Sequence, residues 1–411
     1  MGQYPMFSDR HSELWHSLAD GGPSEAEALA TVNSAAPQDR RLAGVLGAAE
    51  LGQGGALDRA ILERSRRVRR ELFANRVYAI VPVYVTSICG EDCLYCNYRS
   101  GNKGLEVERL RLTDGELARE AEHLIEEKGL RVLELVYATD PRVRVDSMCR
   151  QVELVRRILE QRGGGAVGIS TEALEEAEYR RLLAAGLSFS VLWQETYDRE
   201  RYGQLHRGAT KKTNFAYRLD ACERALSAGV RWLGMGVLSG LADWRRDWTM
   251  LLLHEDYLRR TRGREAGILG IPRLKPAPGA MLPGPALGPT TPEFIAAVAL
   301  HGIYSPSTLP FVSTRESWET CVALAQGGGC LFTFNCSTIP GGYSLGHRGA
   351  QFQTASYDAP VFRGKLEQAG VEPEFAWSFD GTPALCSGRP AVPQAGFTAP
   401  APLSENQCSW P

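Results

Sequence analysis

The sequence predicts an α/β chain built around a closed (β/α)8 TIM barrel, with a helical N-terminal extension and an irregular C-terminal tail. Three observations lead there. From Val77 onward, short apolar runs alternate strictly with helical stretches, the pattern of parallel strands joined by helical crossovers. Eight such β/α units fit into about 295 residues, the number at which a parallel sheet closes on itself. The composition of the 411 residues, 44% hydrophobic and 23% charged, is that of an ordinary globular chain and excludes disorder of the whole.

Residues 1–75 read as polar and helical, and Ala56–Phe73 carries apolar residues at helical spacing opposite a strongly charged face. The strand expectations are Val77–Val85, Val132–Tyr137, Ala166–Ile169, Ser188–Trp193, Trp232–Val237, Ala266–Gly270, Leu309–Val312 and Cys330–Phe334. Between and after them come helices over Thr113–Lys128, Asp146–Gln161, Glu172–Ala185, Asn214–Ala228, Trp244–Arg262, Pro292–Gly302, Arg315–Gln326 and Pro360–Ala369. Thr113-Asp114-Gly115-Glu116 and Thr291-Pro292-Glu293 have the cap donor and early acidic residue of helix starts. Ala185-Gly186 and Ala228-Gly229 look like helix stops. The Pro-, Ala- and Gly-rich run from Thr382 reads as irregular. The expected division is an extension over 1–75, a barrel over 76–372 and a tail over 373–411.

Charge and hydropathy narrow the partners. The formal net charge is −2, and the 40 Arg and 6 Lys are dispersed, so nucleic acid and anionic membrane are not expected partners. No run of 18 apolar residues exists to cross a membrane. MGQYPMFSDRHSELW is not a secretory signal, and Met1-Gly2 followed by Ser8 is too loose for myristoylation, so the expected location is the cytoplasm. Ten cysteines are far too few for a disulfide scaffold of this length.

Three of them stand in CGEDCLYC: Cys89, Cys93 and Cys96, just after the first strand, at the end of a barrel where chemistry is kept. Three thiolates on one loop can bind three irons of a [4Fe–4S] cluster and leave the fourth iron open. Structural zinc would want a fourth Cys or His, and none lies within 25 residues on either side. A redox CxxC would not need Cys89. Cys149, Cys222, Cys321, Cys330, Cys386 and Cys408 show no ligand spacing. Gly163–Gly165, with no GK[ST] after it, is a loop.

The C-x3-C-x2-C run, with Tyr95 before its last cysteine, resembles the motif of the radical S-adenosylmethionine (SAM) superfamily. The resemblance implies a [4Fe–4S] cluster on Cys89, Cys93 and Cys96, SAM chelating the open iron, and Tyr95 lying against its adenine. It also implies a 5′-deoxyadenosyl radical and a flavodoxin- or ferredoxin-type electron donor. VPVYVTSICGEDCLYCNYRSGNK (81–103), WQETYDRERY (193–202) and LHRGATKKTNFAYRLDACERALSAGV (205–230) are more specific. Together with GVLSGLADWRRD (236–247), IPRLKPAPG (271–279), VSTRES (312–317) and PGGY (340–343), they resemble the aromatic amino-acid lyases. The tyrosine lyases of thiamin biosynthesis are the nearest of these.

That narrower resemblance implies Cα–Cβ cleavage of an aromatic amino acid, L-tyrosine giving p-cresol and dehydroglycine. The hydrogen would be taken from the substrate's amino group. L-tryptophan, or an amino-acid-derived intermediate of natural-product biosynthesis, is the alternative substrate. A non-catalytic iron–sulfur carrier is disfavoured. Arg315 is then expected on the substrate carboxylate, Arg218 near the SAM carboxylate, and Gln194, Glu195 and Tyr84 at the mouth. Where the family has a Gly-Glu pair after strand two, this chain reads Val136-Tyr137-Ala138-Thr139-Asp140, and Asp140 is the expected substitute. Where it has an Ala-Gly-Ser-like turn after strand eight, Asn335, Cys336 and Ser337 follow Phe334 and are expected to line a reshaped substrate pocket. Asp243, Trp244 and Arg245 are expected to cap a helix and brace the barrel, and His206 and His347 to be structural.

Overall fold

The computed structural model describes residues 6–18, 21–103, 108–282, 287–313, 315–334, 336–355 and 359–379. The strands are β1 Arg76–Ala79, β2 Val81–Thr86, β3 Asp92–Cys93, β4 Val132–Tyr137, β5 Ala166–Ser170, β6 Phe189–Glu195, β7 His206–Arg207, β8 Trp232–Val237, β9 Ile268–Gly270, β10 Leu309–Val312, β11 Leu331–Phe332 and β12 Glu372–Glu374. β1 and β2 are one extended run broken only at Ile80. β2 pairs in parallel with β4, and the sheet continues through β5, β6, β8, β9 and β10 to β11. β11 then pairs in parallel with β1. Both ends of the sheet therefore belong to the same stretch of chain, and eight strands close into the expected barrel.

The seam is short. Tyr78 and Ala79 face Leu331 and Phe332, and above Ile80 the first and last barrel strands part. Tyr343, from the PGGY segment, fills the gap: its hydroxyl donates to the Pro82 carbonyl at 2.7 Å and accepts from the Ser337 amide at 3.1 Å. The barrel is thus tight at its base and splayed at its mouth.

An apolar layer shuts the base. Tyr78, Ile80, Val132, Phe189, Trp232, Ile268, Leu309 and Leu331 form one buried cluster with Trp377 and Phe379. Trp377 lies 4.7 Å from the Tyr78 ring, and its indole nitrogen donates to the Ala79 carbonyl at 2.7 Å. Phe379 lies 4.6 Å from Trp232. A Cβ on Gly168 would sit 2.3 Å from the Phe189 ring, so glycine there makes room for it. Residues from Pro373 onward, read from sequence as the start of the tail, are thus built into the barrel as β12 and a floor plug as far as Phe379. The Pro/Ala-rich run from Thr382 lies outside the described residues.

Helices alternate with the strands largely as expected, and Ala56–Phe73 and Trp244–Arg262 match to the residue. Three differ for local reasons. The helix read as Asn214–Ala228 breaks into Phe215–Leu219 and Ala221–Ala228 at Asp220, whose carboxylate accepts from the Ser8 amide and hydroxyl at 2.9 and 2.7 Å. The helix read from Glu172 starts at Glu176, which leaves Glu172 in the mouth loop. The helix read from Arg315 starts at Trp318, because Ser317 caps it by accepting from the Thr320 amide at 3.3 Å. Arg315 is left on a loop at the mouth.

The helices before Arg76 pack on the barrel's flank. Arg69 is buried and donates to the carbonyls of Pro306, Thr308, Gly328 and Gly329 at 2.7–3.1 Å. Arg245 donates to the Leu46 and Ala48 carbonyls and pairs with Glu293 at 2.8 Å. Asp243 caps Trp244–Arg262 by accepting from the Arg245 amide at 2.9 Å. This is the bracing role expected of the Asp243–Arg245 segment.

Candidate active site at the barrel mouth

The cysteine loop is held in place by bonds to its neighbours. β3 pairs antiparallel with β7, setting Cys93 opposite His206. The Gly90 amide donates to the Thr139 carbonyl at 2.8 Å, and the Leu94 amide to Leu205 at 3.0 Å. Arg109 donates to the carbonyls of Ser87, Tyr98 and Arg99 at 2.7–3.0 Å. Backbone bonds to two neighbouring βα loops thus fix a segment with little regular structure of its own.

Cys89, Cys93 and Cys96 are free thiols on the wall of one open-mouthed cavity with about 1500 Å³ of empty space. Among the described residues no three Cys, His, Asp or Glu side chains converge on one point, as a single metal ion would need. A cluster spreads its three thiolates over three irons and does not require that convergence. The donor set therefore fits a [4Fe–4S] cluster better than zinc. Burial pushes the Cys93 thiol up to about 12 against the pull of the Lys212 ammonium, and burial also raises Cys89. Ligation has to displace those protons.

Beside the cysteines lies a charged wall. Lys212 Nζ donates to Glu195 Oε1 at 2.9 Å, and Arg218 reaches the same oxygen at 3.4 Å. Burial pushes the Glu195 carboxyl up, but Lys212 and then Arg218 outweigh it and hold it at about 2. Glu195 has φ of 75°, a left-handed conformation costly for a residue with a Cβ, at a register shift between β6 and β8. Arg218 is anchored by the Trp193 carbonyl, which accepts from its NH2 at 2.6 Å.

Tyr95 is fixed by His206. His206 Nδ1 lies 2.8 Å from the Tyr202 carbonyl, so it must carry the proton; Nε2 then accepts from the Tyr95 hydroxyl at 2.9 Å. Burial lowers His206 to about 3, so the ring is neutral. This is the structural role expected of it, one step behind a cavity residue. His347 braces the PGGY turn through the Pro340 carbonyl at 2.8 Å.

Arg315 also lines the cavity and stacks on Phe352 at 3.4 Å from the ring centroid. Its guanidinium has no hydrogen bond or ion pair among the described residues, although it lines the cavity. The Tyr84 hydroxyl donates to Gln351 Oε1 at 2.8 Å, and Gln351 Nε2 donates to Cys96 Sγ at 3.4 Å. Gln351 and Phe352 come from a strap over the mouth, tied down where Asn97 donates to the Ala350 carbonyl at 2.9 Å.

Three expected placements are corrected. Asp140 does not line the cavity: Arg111 grips both its oxygens at 2.6–2.7 Å and the Thr86 hydroxyl donates to one, so it braces the loop, and Ala138 and Thr139 face the cavity instead. Gln194 is turned by the register shift into a small void behind β6, where both amide atoms lack partners. Ser337 belongs to the seam with Tyr343, and only Cys336 of that pair lines the cavity. Asn335 lies outside the described residues. The sequence reading did not single out Lys212, Glu134, Gln351 or Phe352. Lys212 had a signal in its place within a segment quoted for the resemblance, and Glu134 in being the one charge of the apolar run Val132–Tyr137.

The family model for the radical SAM superfamily matches residues 83–253. The 2-iminoacetate synthase of Escherichia coli (strain K12) is 29% identical over 292 residues, 70% of this chain and 74% of that protein. The 3-methylornithine synthase of Methanosarcina acetivorans is 28% identical over 179 residues, 44% of this chain and 48% of that one. Among solved structures, the FeFe-hydrogenase maturase HydG from Carboxydothermus hydrogenoformans superposes with a TM-score of 0.75 at 26% identity, covering 90% of this chain and 83% of its own.

Proposed function

The chain belongs to the radical SAM superfamily, whose members use a [4Fe–4S] cluster and SAM, and on that premise we propose that it cleaves the Cα–Cβ bond of an aromatic amino acid. L-tyrosine is the first candidate, giving p-cresol and dehydroglycine. The observation that carries the reading is Arg315, a guanidinium that lines the same cavity as the cysteine loop and has no hydrogen bond or ion pair among the described residues. A planar cation in that position suits a two-pronged grip on an amino acid's carboxylate. 2-Iminoacetate, which names one relative's product, is the same C2 fragment that such cleavage leaves of an amino-acid backbone.

When bound, the cluster and SAM supply a 5′-deoxyadenosyl radical. Cys89, Cys93 and Cys96 would hold the cluster, while Tyr95 and the Glu195–Lys212–Arg218 group, which line the same cavity, would bind SAM. Arg315 would orient the substrate so that its amino group faces that side of the cavity. Trp193, Phe311 and Phe352 offer flat apolar surfaces to an aromatic side chain and help exclude water. A flavodoxin- or ferredoxin-type protein is the proposed electron donor.

A second substrate remains in play because Cys336 faces the cavity, where the tyrosine lyases carry a smaller residue. L-tryptophan or another amino-acid-derived molecule is that reading. Anaerobic reconstitution with SAM and dithionite decides between them. The expected products with L-tyrosine are 5′-deoxyadenosine and p-cresol. Deoxyadenosine with L-tryptophan alone moves the assignment to the second substrate. None with any amino acid overturns the lyase reading.

A further inference from the structure

Glu134 breaks the pattern of its strand. β4 reads VLELVY, apolar except here, and Val132 two residues below belongs to the shut base while Val136 two residues above lines the cavity. By strand alternation Glu134 points inward with them, and it too lines the cavity. It is only 4% exposed. Its counterpart on the barrel strands, Glu195, is paired with two cations; Glu134 is paired with none among the described residues. Its polar neighbour is the Ser170 hydroxyl on β5, and burial pushes its carboxyl up to about 8. A leucine would suit the strand and the core better, so the acid is a local cost that packing does not explain.

We propose that Glu134 sets the specificity of the cavity by accepting a hydrogen bond from a polar donor at the far end of the substrate's side chain. A phenol O–H, a ring N–H or an amine N–H meets that requirement. The inference rests on the amino-acid reading above and deepens it. Arg315 and Glu134 both act electrostatically on the Tyr84 hydroxyl, so one cavity residue is within reach of both. With its carboxylate at Arg315, the substrate would have its side chain in the same cavity that Trp193, Phe311, Ser170 and Glu134 line. The Ser170 hydroxyl fills only part of the acceptor capacity of this carboxyl, so a ligand that buries it without offering a donor is penalised.

The test is calorimetric binding of L-tyrosine, L-tryptophan, L-lysine and L-phenylalanine to cluster-loaded protein with SAM. The wild type is expected to bind at least one donor-bearing amino acid at least about 10-fold more tightly than L-phenylalanine. Glu134→Leu is expected to lose that margin without weakening L-phenylalanine, and Glu134→Gln, which keeps a carbonyl acceptor, to retain most of it. A Glu134→Leu protein that keeps the full margin, or a wild type that prefers L-phenylalanine, overturns the assignment of Glu134 alone. A wild type that binds none of the four overturns the amino-acid reading and this inference with it.

Discussion

Glu134 on β4 and Glu195 on β6, with β5 between them, line one cavity yet titrate in opposite directions. Burial acts on both, but Lys212 and Arg218 reverse it only at Glu195. In the fold Glu134 holds a proton that the unfolded chain, with a carboxyl near 4.5, releases. Its contribution to stability is thus greatest below about 4.5 and declines as pH rises through about 8. Glu134→Gln should stabilise the protein by on the order of a few kcal/mol at pH 8.5 and by little at pH 4.5. Thermal melts at the two pH values check this, and equal shifts at both would show that the carboxyl is not neutral. Glu195 behaves oppositely: its contribution is present above 4.5 and lost as pH falls toward 2. Arg315→Lys keeps a charge but loses the planar fork, so KM for the amino acid should rise by about 10-fold or more while SAM affinity stays put. Steady-state kinetics with and without saturating SAM separate the two.

Among the elements, the cysteine loop depends most on its neighbours. Cys93 sits opposite His206 in the two-stranded β3–β7 ribbon, so the ligand position is set by residues more than a hundred positions away. Cys93→Ala should abolish binding of a four-iron cluster and the brown absorbance near about 400 nm that thiolate-bound clusters show. Iron counting and the optical spectrum read that directly, and four irons on the variant would refute the ligand assignment. Helix Trp244–Arg262 starts where the sequence reading put it because Asp243 caps it. Asp243→Ala should cost about 1 kcal/mol in urea denaturation, with no change in the iron content of the reconstituted protein. The capping box at Thr113 was equally legible, while the start read at Thr291-Pro292-Glu293 is capped one residue earlier, by Thr290. The break at Asp220 was not, because the bonds that make it come from Ser8, far away in sequence.

At the scale of the molecule, the base and the mouth of the barrel are built by opposite means. The base is plugged by Trp377 and Phe379, and the mouth is splayed and crossed by the strap carrying Gln351 and Phe352. Trp377→Ala should cost about 3–5 kcal/mol, the penalty of emptying a buried aromatic site, and leave the binding of SAM unchanged. Chemical denaturation and SAM titration of the same variant test both halves of that statement. Among the described residues no helix is long and apolar enough to cross a membrane.

The sequence by itself determined the barrel, because strand and helix periodicities are local, and it brought out the three cysteines proposed as cluster ligands, because their spacing is contiguous. It also marked Arg315, Arg218, Glu195 and Tyr95, all of which line the cavity at the mouth. Only the tertiary structure decided which polar groups were free to act. Asp140 and Arg315 look alike in sequence as charges after strands, yet one is consumed by Arg111 and the other left open. Glu134 looks like an irregularity in an apolar strand until the ring closes around it. Gln351 and Phe352 have no signal at all until the chain returns across the mouth. Whether a charge is spent or available is a property of its neighbours in space, and those are not its neighbours in sequence.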